Sequence, residues 1–301
     1  MIEIRRILCP TDFSEFSVRA LQHAVPIARW YGAKLTALHV LPLVPSVAAS
    51  FPTYVDPMTM APIPKGHLLD RLREFVAPAD EAGVDTEILL LEGHVTRTIL
   101  SHAEGMDADL IVMGSHGREG FEHLMLGSVA EKVLRKAECP VLSVGREREG
   151  RTAAGPLFGR IVCPVDFSAP SKHALDYALS LAQEAKARLD VLHVVDWGPE
   201  EEVREHRHFD VPAFRRFLAD EAHRRLRDIV PVASRDWCEV EEVVASGKPY
   251  AEILRVARER DADLIVMGVR GRSALNVAVF GSTANQVVRG GACPVLTVRE
   301  G

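Results

Sequence analysis

Residues 107–118 read DADLIVMGSHGR and residues 261–272 read DADLIVMGVRGR, identical at 10 of 12 positions. In each, four apolar residues in a row (Leu110-Ile111-Val112-Met113 and Leu264-Ile265-Val266-Met267) run into a glycine. A short, wholly apolar run suits a strand buried on both faces, as in a parallel sheet held between helices. Working outward, the same offset of 154 residues relates RILCPTDFS at 6–14 to RIVCPVDFS at 160–168. It also relates His39-Val40 to His193-Val194, Gly127-Ser128 to Gly281-Ser282, and Cys139-Pro140-Val141-Leu142 to Cys293-Pro294-Val295-Leu296. The period is too long for a solenoid unit. The chain is therefore read as two copies of one fold, residues 1–145 and 159–301, joined by a linker at 146–158 that holds Gly150, Gly155 and Pro156.

Within the first copy, apolar runs alternate with helical patterns. Strands are expected at 4–8, 35–41, 86–91, 110–113 and 141–144, and helices at 16–31, 68–82, 96–104 and 128–136. Alternating units of this size give an α/β fold, and right-handed crossovers wind it doubly around a parallel sheet. Two stretches break the economy. Residues 42–64 hold six prolines without a clear period, and residues 196–210 are rich in charge. Long irregular loops of this kind are often functional.

Composition narrows the function. Of 301 residues, 47% are hydrophobic and 26% charged, which is ordinary for a globular chain. The formal net charge is -6; residues 1–150 contribute 15 - 20 = -5 and residues 151–301 contribute 21 - 22 = -1. Neither half has the basic excess of a non-specific nucleic-acid binder. No apolar run reaches the length of a membrane span. Met1-Ile2-Glu3-Ile4 enters a strand at once and leaves no room for a signal peptide. Five cysteines, four of them directly before proline, read as reduced and buried. A cytoplasmic location is expected.

In a doubly wound sheet, ligands sit beyond the carboxyl ends of the strands. Three segments of each copy converge there. They are Pro10-Thr11-Asp12 with Pro164-Val165-Asp166, then Val40 with Val194, then the stretches after Met113 and Met267. Those last stretches share the spacing G-x2-G-x9-G-S: Gly114, Gly117, Gly127 and Ser128 in one copy, Gly268, Gly271, Gly281 and Ser282 in the other. The first two glycines permit a tight turn and close approach of backbone to a ligand. The last pair puts unpaired N–H groups and a hydroxyl at a helix start, an anion site. Asp12 and Asp166 are candidate ligand contacts, provided that Ser14 and Ser168 cap the following helices.

These motifs, over nearly all of both halves, resemble those of a tandem universal stress protein of the ATP-binding type. The resemblance implies two Rossmann-like domains, each a five-stranded parallel sheet of order 3-2-1-4-5. It implies ATP in each, with Asp12 and Val40 on the adenine or ribose side, and Gly114, Gly117, Gly127, Ser128 and Val129 holding ribose and phosphates. The second site would use Asp166, Val194, Gly268, Gly271, Gly281, Ser282 and Thr283, with Arg270 replacing His116 in the loop. Any Mg2+ would be held through the phosphates. It also implies pairing of the last strands, 141–144 and 295–298, into a pseudo-dimer within one chain. A homodimer and an unidentified protein partner are further expectations.

Other chemistry is weakly supported. A Walker lysine is absent, and the first turn lacks G-x-G-x-x-G. His206, His208 and Asp210 fix no fourth zinc ligand. Ser115-His116 lacks an acid fixed by spacing, so a hydrolase triad is not expected. His39 and His193 read as core residues. The expected function is an ATP-binding stress-response sensor or regulator with little hydrolysis. The alternatives are a slow ATP-hydrolysing or transfer enzyme, or an interaction protein with empty sites.

Overall fold

The structure, a computed structural model, describes residues 2–42, 65–116, 126–145, 157–196, 211–269 and 280–299. The first half runs β1 (Arg6–Pro10), α1 (Glu15–Tyr31), β2 (Lys34–Pro42), α2 (Lys65–Glu81), β3 (Thr86–Gly93), α3 (Val95–Gly105), β4 (Leu110–Gly114), α4 (Ser128–Lys136) and β5 (Val141–Val144). The second runs β6 (Arg160–Pro164), α5 (Ala169–Ala185), β7 (Arg188–Val195), α6 (Val211–Ile229), a 3-10 turn (Val232–Asp236), β8 (Val240–Ser246), α7 (Pro249–Glu259), β9 (Leu264–Gly268), α8 (Ser282–Gly290) and β10 (Val295–Val298). Among the described residues, no helix is long and apolar enough to cross a membrane.

The strand expected at 4–8 lies two residues later. The backbone N–H groups of Arg5 and Arg6 both donate to Asp109 Oδ2 at 2.8 Å. Ladder pairing therefore starts at Arg6 and continues to Pro10, opposite Leu38. Asp263 does the same for Gly159 and Arg160, at 2.7 and 2.9 Å. The second aspartate of each DAD triplet thus anchors the start of the central strand.

All ten strands form one sheet, in the order β3-β2-β1-β4-β5-β10-β9-β6-β7-β8. Pairing is parallel within each half. At the junction β5 and β10 run antiparallel, with Leu142 opposite Leu296. Thr297 Oγ1 donates to the Val141 carbonyl and Ser143 Oγ to that of Val295, both at 3.1 Å. Helices α1, α2, α5 and α6 share one apolar layer, and α3, α4, α7 and α8 the other. The strand period explains the LIVM run: Leu110 and Val112 enter the first layer, Ile111 and Met113 the second. Cys9 and Cys163 are wholly buried, and burial pushes the Cys9 thiol up to about 12 and Cys163 higher still. Neither is a nucleophile near neutral pH.

Two features refine the linker and the repeat. Phe158, the last residue assigned to the linker, is 0% exposed and fills the seam between the halves. Its ring lies 5.9 Å from His23 and 6.0 Å from Trp30. The second feature is Asp190, buried on β7 where the first half has Thr36. Arg260 Nη1 stands 3.7 Å from Asp190 Oδ1 and donates to Glu241 Oε2 at 2.5 Å, Nη2 donates to Glu241 Oε1 at 2.7 Å, and Asp190 Oδ2 has no hydrogen-bond partner. The first half has Met106 at the position of Arg260, so acid and base occur together in the second half and are both missing from the first. Burial pushes the Asp190 carboxyl above its ordinary 3.8, against the opposing pull of Arg260 and Arg160. The folded chain then holds that proton more tightly than the unfolded chain, and stability falls as pH rises from 3.8 toward the raised value. Arg260→Met is expected to destabilise by about 1–3 kcal/mol at neutral pH, by leaving a buried carboxylate without its cation. Asp190→Thr in the same chain should recover most of the loss. Denaturant unfolding of both single variants and the double variant checks this; additive losses would show the pair to be uncoupled.

Candidate functional site

The carboxyl ends of β1, β2 and β4 meet the N-terminus of α4 in a cleft of about 760 Å³. Pro10, Thr11, Asp12, Val40, Met113, Gly114, Gly127, Ser128 and Val129 all line it. Of the first-half candidates, only Gly117 lies outside the described residues. In the second half Pro164, Val194, Met267, Gly268, Ser282 and Thr283 take the matching positions on β6, β7, β9 and α8, with Val165 and Asp166 just after β6 and Gly281 just before α8. Arg270, Gly271 and both long loops lie outside the described residues. Backbone bonds repeat across the halves: Thr11 and Val165 donate to Leu38 and Leu192 at 2.8 Å, and Gly127 and Gly281 donate to Ser115 and Val269 at 2.8 Å.

The turn from β1 into α1 decides how the acid is held. Ser14 caps α1, its hydroxyl accepting from the Ser17 N–H at 3.4 Å, and Ser168 caps α5 in the same way. The aspartates are therefore not the helix caps. Asp12 Oδ1 accepts the Ser14 N–H and Asp166 Oδ1 the Ser168 N–H, both at 3.0 Å. Between acid and cap, Phe13 and Phe167 have φ of 62° and 65°. Such backbone in a residue with a side chain stores strain of roughly 1–3 kcal/mol and collects at working sites.

Packing holds each strained ring in place. His39 Nδ1 donates to the Thr11 carbonyl at 2.7 Å, and the imidazole lies 4.6 Å from the Phe13 ring. Arg71 places its guanidinium 4.1 Å from that ring's centre. His193, Phe167 and Arg225 repeat the stack, with the ring centroids 4.5 Å apart and the guanidinium at 3.8 Å. Both His39 and Arg71 line the cleft. The expectation that His39 is a core residue holds for its Nδ1, yet its ring also forms part of the wall. Sequence reading missed Arg71, although Arg71 and Arg225 stand 154 apart and the repeat offset could have flagged them.

The glycines divide into two roles. A Cβ on Gly114 would lie 2.8 Å from Phe16 Cβ and 2.9 Å from the Phe16 carbonyl carbon. One on Gly268 would lie 2.9 Å from the Pro170 carbonyl carbon. Each glycine ends its strand and lets that end press against the first turn of a helix. Gly127 and Gly281 instead stand at the N-cap positions of α4 and α8, without a side-chain cap. The amides of Ser128, Val129 and Ala130 lie in the first turn, where no intrahelical acceptor reaches. With the positive end of the helix dipole, they make the cleft floor receptive to an anion. Ser115 Oγ pairs with His116 Nδ1 at 2.8 Å, and the His116 ring lies 5.0 Å from Phe16.

The model of the universal stress protein family matches the chain twice, over residues 3–145 and 157–299. A universal stress protein of Methanocaldococcus jannaschii is 36% identical over 145 residues, covering 48% of this chain and 84% of that one. Another, from Bacillus subtilis, is 34% identical over 156 residues, covering 48% of this chain and 100% of its own. The crystal structure of a universal stress protein from Archaeoglobus fulgidus superposes with a TM-score of 0.70 over 100% of both chains, at 24% identity, which speaks for a shared fold. Two full matches in tandem, over the halves that the 154-residue repeat defines, make this chain a member of the universal stress protein family with two such domains.

Proposed function

We propose that each half binds one ATP and that the protein acts as a cytoplasmic nucleotide-level sensor or regulator in the stress response. The observation that carries this reading is the first-half cleft. Its volume of about 760 Å³ falls within the usual range of small-molecule sites, roughly 300–1,000 Å³. Val40, Met113 and Leu126 give it apolar wall that suits a base, and Asp12 is the carboxylate among its described lining residues. The first-turn amides of α4 suit phosphate. The repeated glycine spacing supports the same reading for the second half, where Thr283 adds a hydroxyl at the position of Val129.

Native mass spectrometry of the protein as purified tests the proposal. The expected mass is that of a chain carrying two ATP, as a homodimer. A nucleotide-free chain that also fails to bind added ATP would overturn it.

Hydrolysis is expected to be slow. Fast phosphoryl transfer needs a group that orients the attacking water beside the terminal phosphate, with cations on the developing charge. Asp12 stands at the end of β1, and its Oδ1 already accepts the Ser14 N–H. A steady-state assay should give turnover below about 1 s⁻¹, under the common enzyme range. Faster turnover that disappears in the glycine variants described below would show an enzyme instead.

A further inference from the structure

A second concavity lies outside the nucleotide cleft. Helices α3 and α4 leave a groove of about 480 Å³ between them. Arg97, Lys132 and Lys136 line it together with Leu100, and Glu104 is the carboxylate among its lining residues. All three cations are exposed, and none has an ion pair among the described residues. The next acid on α4, Glu131, is already engaged by Arg289 at 3.3 Å and Arg135 at 3.8 Å. The groove is therefore locally positive, in a half whose formal charge is 15 - 20 = -5.

The second half differs at the positions of these cations. Lys132 and Lys136 are replaced by Gln286 and Gly290. A Cβ on Gly290 would lie 2.8 Å from Leu254 Cδ1, so Leu254 occupies the space that a side chain at 290 would need. Because the second copy has Ala251, Gln286 and Gly290 at the positions of Arg97, Lys132 and Lys136, these three cations are not a requirement of the fold.

We propose that the α3–α4 groove is a docking surface for an acidic polypeptide segment of a partner protein. Lys132 and Lys136 are one helical turn apart, a rise of about 6 Å. Carboxylates two residues apart on an extended segment are spaced by about 6.6 Å and match them. Leu100 adds an apolar surface to the groove wall. The cations stand in solvent, so an occupant lies across the surface and need not be enclosed. Attraction of this kind steers association and weakens with salt.

The test uses the full chain and a labelled twelve-residue peptide in which glutamate alternates with serine around a central leucine. Fluorescence anisotropy at about 50 mM and about 300 mM salt reads the affinity and its screening. Saturable binding that weakens with salt is expected. Lys132→Glu with Lys136→Glu should weaken it by about tenfold or more. A control with the same charge change on the opposite sheet face, Arg29→Glu with Lys172→Glu, should change it by less than about threefold. Circular dichroism establishes that both variants are folded. Absence of binding, equal loss in both variants, or binding of inorganic pyrophosphate at the groove without binding of the peptide would each overturn the proposal.

Discussion

Phe158→Ala is expected to lower the stability of the chain by about 3–5 kcal/mol, the usual range for removing a buried aromatic side chain. Phe158 is among the largest fully buried side chains and is 0% exposed. It packs where the two halves meet, among Ile4, Ile27, Leu142, Tyr177, Leu181 and Leu296. The residual space there is about 10 Å³, too little to hold a water comfortably. Neighbours that come from both halves cannot collapse onto the vacancy without disturbing the pairing of β5 with β10. Most of the cavity would therefore persist, and persistence is what places a substitution at the costly end. Denaturant unfolding followed by circular dichroism measures the loss. Trp30, whose ring lies 6.0 Å from Phe158, gives a local fluorescence probe of the same event. Phe158→Leu should cost much less. A shift under about 1 kcal/mol for Phe158→Ala would mean that the seam relaxes freely, contrary to the close packing seen there.

Gly127→Val is expected to abolish nucleotide binding in the first half, and Gly281→Val in the second. Each single variant should keep one ATP, and the double variant none. The choice of glycine follows from the backbone. Gly127 has φ of -60° and ψ of 141°, and Gly281 has -58° and 142°, conformations that valine adopts readily. The fold should survive with a loss of about 1 kcal/mol from a poorer cap. The added side chain would stand over the first-turn amides that are to receive phosphate. Gly114 and Gly268 would be poor choices, because their Cβ atoms would strike the first turns of α1 and α5. A lost site there would report displaced helices rather than blocked phosphate. Native mass spectrometry and isothermal titration read the stoichiometry. Two ATP retained by the double variant would remove the glycine loops from the site.

Much of the architecture could be read from short stretches. Four apolar residues before a glycine marked β4 and β9, because a strand covered on both faces needs apolar side chains at odd and even positions alike. The serine caps of α1 and α5 were equally legible, since a cap is satisfied within three residues. The ends of β1 were not. Ile4 is buried and looks like strand, but Asp109 takes the N–H groups of Arg5 and Arg6, and that aspartate is more than a hundred residues away. The site shows the same division. Pro10, Asp12, Val40, Gly127 and Ser128 follow from where strands end and a helix begins. Arg71 does not, because its meaning depends on the Phe13 ring beneath it.

By itself, the sequence determined that the chain is a tandem repeat, that each copy alternates strand and helix, and that Gly114 and Gly127 border a cleft in the first half. Periodicity and turn chemistry act over a few residues, and a constant offset of 154 carries them from one copy to the other. Only the tertiary structure decided the rest. It set β5 against β10 with Leu142 opposite Leu296, buried Phe158 out of an apparent linker, stacked Arg71 on Phe13, and left a groove between α3 and α4. Each of these is a contact between residues far apart in the chain. Its energy comes from what lies on the other side, and no local pattern of residues encodes that.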